Sequence, residues 1–169
     1  MPGPIEIRIE LEENVSAALR RGIEAGLDLT PAMKEIANHL QTATQLRFER
    51  EQGPGGTPWR PSRRAIEDGG QTLTLSGDLR SSIGTASGKD YAAAGPERSF
   101  GAAVYAAIHQ FGGEIRPRAK RALSFGGGVF ALVRMPARPY LGIDDQDRAA
   151  IGDILGGFLR QAFAGGAEA

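Results

Sequence analysis

From Ile5 to Glu12 apolar and charged positions alternate strictly: Ile5, Ile7, Ile9 and Leu11 against Glu6, Arg8, Glu10 and Glu12. A period of two puts one set on each face of an extended chain, so this stretch predicts a half-buried strand. The period then lengthens. Val15, Leu19 and Ile23 predict a short helix over Asn14 to Ala25, stopped near Gly26. A longer helix follows, with Thr30 as its N-cap and Pro31 at the first helical position. Leu29, Met33, Ile36, Ala37, Leu40, Ala43 and Phe48 mark its apolar face; Lys34, Asn38, Gln45 and Glu49 mark the other. It is expected to run to about Gln52, roughly 30 Å. His39, beside the apolar positions, reads as a boundary residue.

Between Gly53 and Gly70 the pattern disappears into Gly-Pro-Gly-Gly-Thr-Pro-Trp-Arg-Pro and then Asp68-Gly69-Gly70. This predicts a long loop at 53–70. Trp59, the single tryptophan, either pins that loop to the domain or anchors a neighbouring subunit. Further on, Ser76 or Asp78 caps a short helical turn that should bury Leu75, Leu79 and Ile83. Tyr91 to Ala94 reads as a weak strand and Ala102 to Gln110 as a short helix. Ala122 to Phe125 and Val129 to Val133, flanking Gly126-Gly127-Gly128, read as a β-hairpin. Asp144 or Asp145 caps a last helix whose apolar face is Ile151, Ile154, Leu155, Phe158, Leu159 and Ala162. Gly152, Gly156 and Gly157 weaken that helix unless they admit another backbone. Residues 164–169 are expected to fray. These elements predict one α+β domain over 1–169. A small mixed, mainly antiparallel sheet carries a long helix from the N-terminal half, with the C-terminal helix packed on it.

Two segments organise the chain. Val104-Tyr105-Ala106-Ala107-Ile108-His109-Gln110-Phe111 ends abruptly at Gly112-Gly113, where glycine readily takes a left-handed stop. Met135-Pro136-Ala137-Arg138-Pro139-Tyr140-Leu141-Gly142 is held extended, since each proline disfavours a helical residue before it. Arg138 and Tyr140 should project from one side. Arg138 is expected to lie over the tyrosine ring or to be clamped by Asp144 and Asp145; the alternative is that it faces a neighbouring subunit.

Composition narrows the function. Lys+Arg 20 balances Asp+Glu 20, so the basic excess of a non-specific nucleic-acid binder is missing. The local run Arg116, Arg118, Lys120, Arg121 reads as a solvated loop, or as a contact for an acidic partner or DNA. With no cysteine there is neither a disulfide framework nor a thiolate metal site. No signal-peptide pattern and no membrane-length apolar run is visible. Gly84 to Asp90 resembles a phosphate loop but is one residue short, and Asp90 stands where a magnesium-binding hydroxyl belongs. Asp144, Asp145 and Asp147 lack the spacing of a calcium loop, and His39 and His109 have no companion ligands for zinc. His109 reads as a packed or interfacial residue. Neither an enzyme nor a cofactor is expected.

The order of "RFEREQGPGGTPWRP", "LTLSGDLRSSIG", "VYAAIHQFGGEIRP" and "MPARPYLGI" before a terminal amphipathic helix resembles the phage virion morphogenesis, or tail completion, family of P2-like and Mu-like phages. Where that family more often has a lysine-containing segment after the tryptophan, this chain has Arg63-Arg64-Ala65-Ile66-Glu67-Asp68. The resemblance implies a small α+β structural protein at the head–tail junction, assembled in the bacterial host cytoplasm. It would act in tail completion or head–tail joining as a ring, with six subunits favoured. Its partners would be other neck proteins and tail tube or head connector proteins. The alternatives are a transient capsid assembly factor and a connector that contacts DNA through its lumen. The residues it marks are structural: Trp59, Gly77, Leu79, Tyr105, His109, Phe111, Gly112, Gly113, Arg138, Pro139, Leu141 and Gly142.

Overall fold

The computed structural model describes residues 13–97, 103–117, 122–125 and 128–165. The opening strand predicted over 5–11, the glycines at 126 and 127, and the end of the tail lie outside them. Helix α1 (Glu13–Glu24) stops at Gly26 as the pattern requires. Its inward face is offset from the expected one. Ile23 is 54% exposed, while Gly22 faces Leu27 and Leu159.

Helix α2 (Thr30–Arg50) is the axis of the molecule and packs on both hairpin strands described below and on the last helix. Its cap differs from the expected one. Thr30 is already helical, and the Asp28 carboxylate accepts from both Thr30 N (3.0 Å) and Thr30 Oγ1 (2.6 Å). It also ends earlier than Gln52, because Glu51 turns left-handed at φ 53 and closes the helix. Met33, Ile36, Ala37 and Phe48 are buried as the period predicts; so are Thr44 and Arg47, polar residues not counted in the expected apolar face.

After a 3-10 turn at Pro54–Gly56, the region expected as a bare loop contains helix α3 (Arg63–Glu67), capped by Ser62 Oγ accepting from Ala65 N at 3.1 Å. Helix α4 (Asp78–Ser81) buries Leu79, and Ile83 beyond it is buried too, but Leu75 is 77% exposed. Leu75 lies before the helix starts at Asp78, so helical spacing does not carry it to the inner face. Strands β1 (Ile83–Ser87) and β2 (Ala92–Pro96) form an antiparallel hairpin against α2. The phosphate-loop lookalike is thus β1 and the turn after it, closed by Gly88 N donating to Tyr91 O at 2.9 Å.

Helix α5 (Ala103–Phe111) leads through Gly112 into β3 (Gly113–Ile115). The predicted hairpin is shorter than expected: β4 (Leu123–Phe125) pairs with β5 (Gly128–Phe130). Val133 leaves it to form β6 (Val133–Met135) beside β3. The described strands make three separate antiparallel pairs around the helices, a small α+β fold. Helix α6 (Asp145–Gly165) returns across α1 and α2. Among the described residues, no neighbouring backbone uses the space at Gly152, Gly156 or Gly157. An added side chain at Gly152 would meet nothing within 4 Å, and at Gly156 only Arg160.

The core has two parts. Leu29, Ala32, Met33, Ile36, Ile151 and Leu155 form one, between α2 and α6. Phe48, Trp59, Leu79, Ile83, Ala106, Tyr140 and Leu141 form the other, at the far end of α2.

Candidate functional site

The sequence-marked residues converge on the second core, where residues 135–144 thread between the end of α2, the 53–61 segment and α5. Phe48 is the centre. Trp59 meets it edge-on at 5.5 Å, and Tyr140 packs against it with its ring tilted, at 5.2 Å. Trp59 is buried and its indole N–H donates to Pro139 O at 2.9 Å, so in the subunit it pins the 53–59 segment. Tyr140 is buried, its hydroxyl donating to Ala106 O at 3.2 Å, and burial pushes its phenol well above the usual range.

The extended segment is read like a strand edge by a side chain. Gln110 Oε1 accepts from Tyr140 N and Leu141 N, both at 3.0 Å, while its Nε2 donates to Leu141 O at 2.9 Å. A buried backbone edge must be satisfied, and one amide does so with its donor and its acceptor. The Gly112 turn permits the approach. At φ 69, an added Cβ there would lie 2.7 Å from Ala137 N and 2.9 Å from Met135 O. Arg138 N then donates to His109 O at 2.7 Å.

Arg138 is buried, but not by the expected clamp. Its Nε donates to Arg60 O at 2.7 Å and Nη2 to Pro61 O at 3.4 Å. Burial, then the nearby Arg60 charge, lower its pKa. The acid that was to hold it has another partner. Asp144 Oδ2 takes Arg47 Nη2 at 3.3 Å, and Asp145 pairs with Arg148 on the surface at 2.8 Å. As the N-cap of α6, Asp144 is aimed at α2 rather than back along its own segment.

Arg47 is therefore the hub, and sequence reasoning missed it. It is 5% exposed. Nη1 donates to Gly142 O at 2.8 Å and Tyr140 O at 3.4 Å, and Nη2 also pairs with Asp147. Asp147, 3% exposed, receives His39 Nε2 at 3.0 Å on its other oxygen. Asp144 and Asp147 cap α6 reciprocally. Asp144 Oδ1 accepts from Asp147 N at 3.0 Å and Asp147 Oδ2 from Asp144 N at 3.1 Å. Asp144 Oδ2 further accepts from Gly55 N at 3.1 Å. Burial alone would raise the Asp144 pKa; the bonds from Gly55 and Asp147 and the Arg47 charge outweigh it and hold the carboxyl below the ordinary value. The result is a polar joint of α2, the 53–59 segment and the start of α6.

His109 stacks edge-on with Tyr105 at 5.8 Å, and its Nδ1 is buried without a hydrogen-bond partner among the described residues. Burial, then the Arg138 charge, push its pKa down, favouring neutral imidazole. Phe111 is 60% exposed at the end of α5, and Pro139 and Gly113 are exposed as well. Of the basic run, exposed Arg116 pairs with Glu114 at 2.8 Å, and Arg134 joins the same carboxylate at 3.1 Å. Arg118, Lys120 and Arg121 lie outside the described residues. Among the described residues, no group of three or more His, Cys, Asp or Glu is arranged to hold a metal ion. Chemically the arrangement fastens chain segments together.

Comparison with known proteins places the chain in a family. Residues 10–160 match the phage virion morphogenesis family. A protein of Escherichia phage Mu, named as a candidate capsid assembly protein G, is 33% identical over 165 residues, covering 87% of this chain and 94% of its own. The Mu-like prophage FluMu G protein 2 of Haemophilus influenzae is 32% identical over 148 residues, covering 87% of this chain and 90% of its own. No solved structure matches.

Proposed function

We propose that this chain, which belongs to the phage virion morphogenesis family, is a structural, non-catalytic subunit at the head–tail junction of a phage or prophage particle. It acts in tail completion or termination and in head–tail joining. It assembles as a ring, six subunits being favoured by the family resemblance, against other neck proteins and the tail tube or head connector. Assembly takes place in the bacterial host cytoplasm, and the protein ends in the virion. Among the described residues no helix is long and apolar enough to cross a membrane.

One observation carries this reading: the motif residues are spent on an internal joint, while apolar side chains are left outside. Trp59, Gln110, Arg138, Tyr140 and Arg47 bond to backbone or carboxylates within the subunit. Leu75, Phe111 and Val129 stay 77%, 60% and 77% exposed. A rigid body with exposed apolar anchors suits an assembly subunit, since interface energy concentrates in such residues.

The test is a map of the neck together with the protein content of purified particles. A ring at the junction is expected, and loss of the protein should leave filled heads and unjoined tails. Absence from purified virions would overturn the neck role. It would favour the second reading, a capsid assembly factor that acts and leaves, which the name of the phage Mu relative supports.

A further inference from the structure

We propose that the corner formed by Arg60 and Arg138 is a seat for one side-chain carboxylate, an Asp or Glu presented by an assembly partner. This deepens the assembly reading above and rests on it. The two buried arginines differ in one respect. Arg47 meets the carboxylates of Asp144 and Asp147. Arg138, 4% exposed, meets none. Its Nε and Nη2 donate to the carbonyls of Arg60 and Pro61, and these are the hydrogen bonds its side chain makes among the described residues. Carbonyls satisfy donors but do not neutralise a charge, and a guanidinium keeps its charge at neutral pH. A cation taken out of water is costly to hold unless an anion meets it. The charge that does reach Arg138 has the same sign: after burial, Arg60 lowers its pKa further.

The corner is open to solvent. Arg60 is exposed, and its guanidinium makes no hydrogen bond or ion pair among the described residues. Ala137 and Pro139, on either side of Arg138, are exposed too. Among the described residues, His109 Nδ1 is the one buried side-chain nitrogen or oxygen left without a partner. Arg138 Nη1 also lacks a partner, so it is not sealed from water. An incoming anion finds Nη1 and the whole Arg60 fork unengaged. The opening selects a slim ligand. A carboxylate on a flexible stem can reach a guanidinium that shows little more than one amino group. A duplex phosphate is fixed in a broad backbone, and the balance of Lys+Arg 20 against Asp+Glu 20 gives no general pull toward a polyanion. His109 registers the occupant. Its backbone O accepts from Arg138 N at 2.7 Å, and the Arg138 charge adds to burial in keeping its ring neutral. An anion on Arg138 offsets that charge, so His109 then protonates at higher pH.

The test supplies the missing carboxylate from within, by Arg60→Glu and, for a shorter reach, Arg60→Asp. In the isolated subunit at least one of them should raise the melting temperature and the His109 titration midpoint, read by NMR of the ring. Arg60→Gln should fold as the natural chain does and leave that midpoint nearly in place. In particles all three variants should lose infectious titre, by about thirtyfold or more, as when a buried charge pair loses one side. If neither acidic variant moves the melting temperature or the midpoint, no unmet charge is there and the proposal is overturned. Normal titre from Arg60→Glu overturns it too, and leaves the assembly role standing. Duplex DNA that binds the natural chain and is lost with Arg60→Gln would make phosphate the ligand, and the proposal falls. A protein without any place in particle assembly overturns the reading beneath it, whatever the isolated subunit shows.

Discussion

Leu155 and Tyr140 are each 1% exposed, yet they are held by different physics. Leu155 sits in an apolar cluster with Leu29, Ala32, Met33, Ile36 and Ile151. Tyr140 sits in a core stitched with polar bonds: its own hydroxyl to Ala106 O, its N–H to Gln110, its carbonyl to Arg47. The first core is non-directional, so similar volume suffices to fill it. The second needs particular atoms at particular angles, and an unpaired buried partner is costly. The family-marked residues are concentrated in the second because irregular chain is assembled there.

The sharpest way to break the contrast is at its hub. Arg47→Met should lower stability by about 3–5 kcal/mol, because Asp147 is left buried without its guanidinium partner, held by His39 and the Asp144 N–H. Urea unfolding measures this. Adding Asp147→Asn should recover part of the loss, a coupling that a purely steric role for Arg47 would not show.

In the apolar core, Leu155→Ala is expected to cost about 2–5 kcal/mol as a cavity. The same unfolding experiment at several salt concentrations separates the two. The Leu155→Ala loss should hardly change with salt or mild acid, since no charged group lies in that cluster. A salt-sensitive Leu155→Ala would blur the division.

The two cores also differ in how readable they were. The α2–α6 core follows from spacing alone: Met33, Ile36, Ile151 and Leu155 lie where a period near 3.6 puts them. The joint was legible in outline, through Trp59, Gly112 and the Pro-Ala-Arg-Pro segment, but its wiring was not. Arg138 is buried, but its partner carbonyl at Arg60 is remote in sequence, and spacing says nothing about such pairs. Arg47, Asp147 and His39 resemble solvated helix residues. A signal did exist. Thr44 and Arg47 continue the stripe through Ile36, Ala37 and Leu40, so a polar residue on that stripe must either be bonded or end the helix. Thr44 Oγ1 is bonded, to Leu40 O at 2.8 Å. Gln110 sits on the buried side of a short apolar helix and gives the same kind of signal.

Trp59→Phe keeps the ring against Phe48 and removes only the bond to Pro139 O. A loss of roughly 1 kcal/mol is expected from the lost hydrogen bond at this part-buried carbonyl. Hydrogen exchange should show faster opening at Gly53 and Gly56, whose N–H groups bond within the turn. Unchanged exchange there would mean that packing, not the indole bond, pins the segment.

The smallest effects are the pH-dependent ones, and they too should separate the cores. His109 has a lowered pKa in the folded state, so between that value and the ordinary one of about 6.5 the unfolded chain binds more protons, and stability falls as pH drops through this window. Asp144 has a lowered pKa as well. Its contribution is present above the unfolded value of about 3.9 and is lost as pH falls through the folded one. Exposed Asp28 and Glu114 also have lowered values, from Thr30 and from Arg116, so the raw acid limb mixes several groups. Differences between variants isolate the joint. His109→Gln should remove the step that lies below the ordinary imidazole value and leave the carboxylate one. Asp144→Asn keeps an oxygen to cap α6 but loses the charge facing Arg47, costing about 1 kcal/mol or less at neutral pH. That difference from the natural chain should shrink toward zero once the pH has fallen below the lowered folded pKa of Asp144, where both proteins present a neutral cap. A difference that persists in strong acid would mean that Asp144 acts through geometry alone, and that the joint is as insensitive to charge as the helical core beside it.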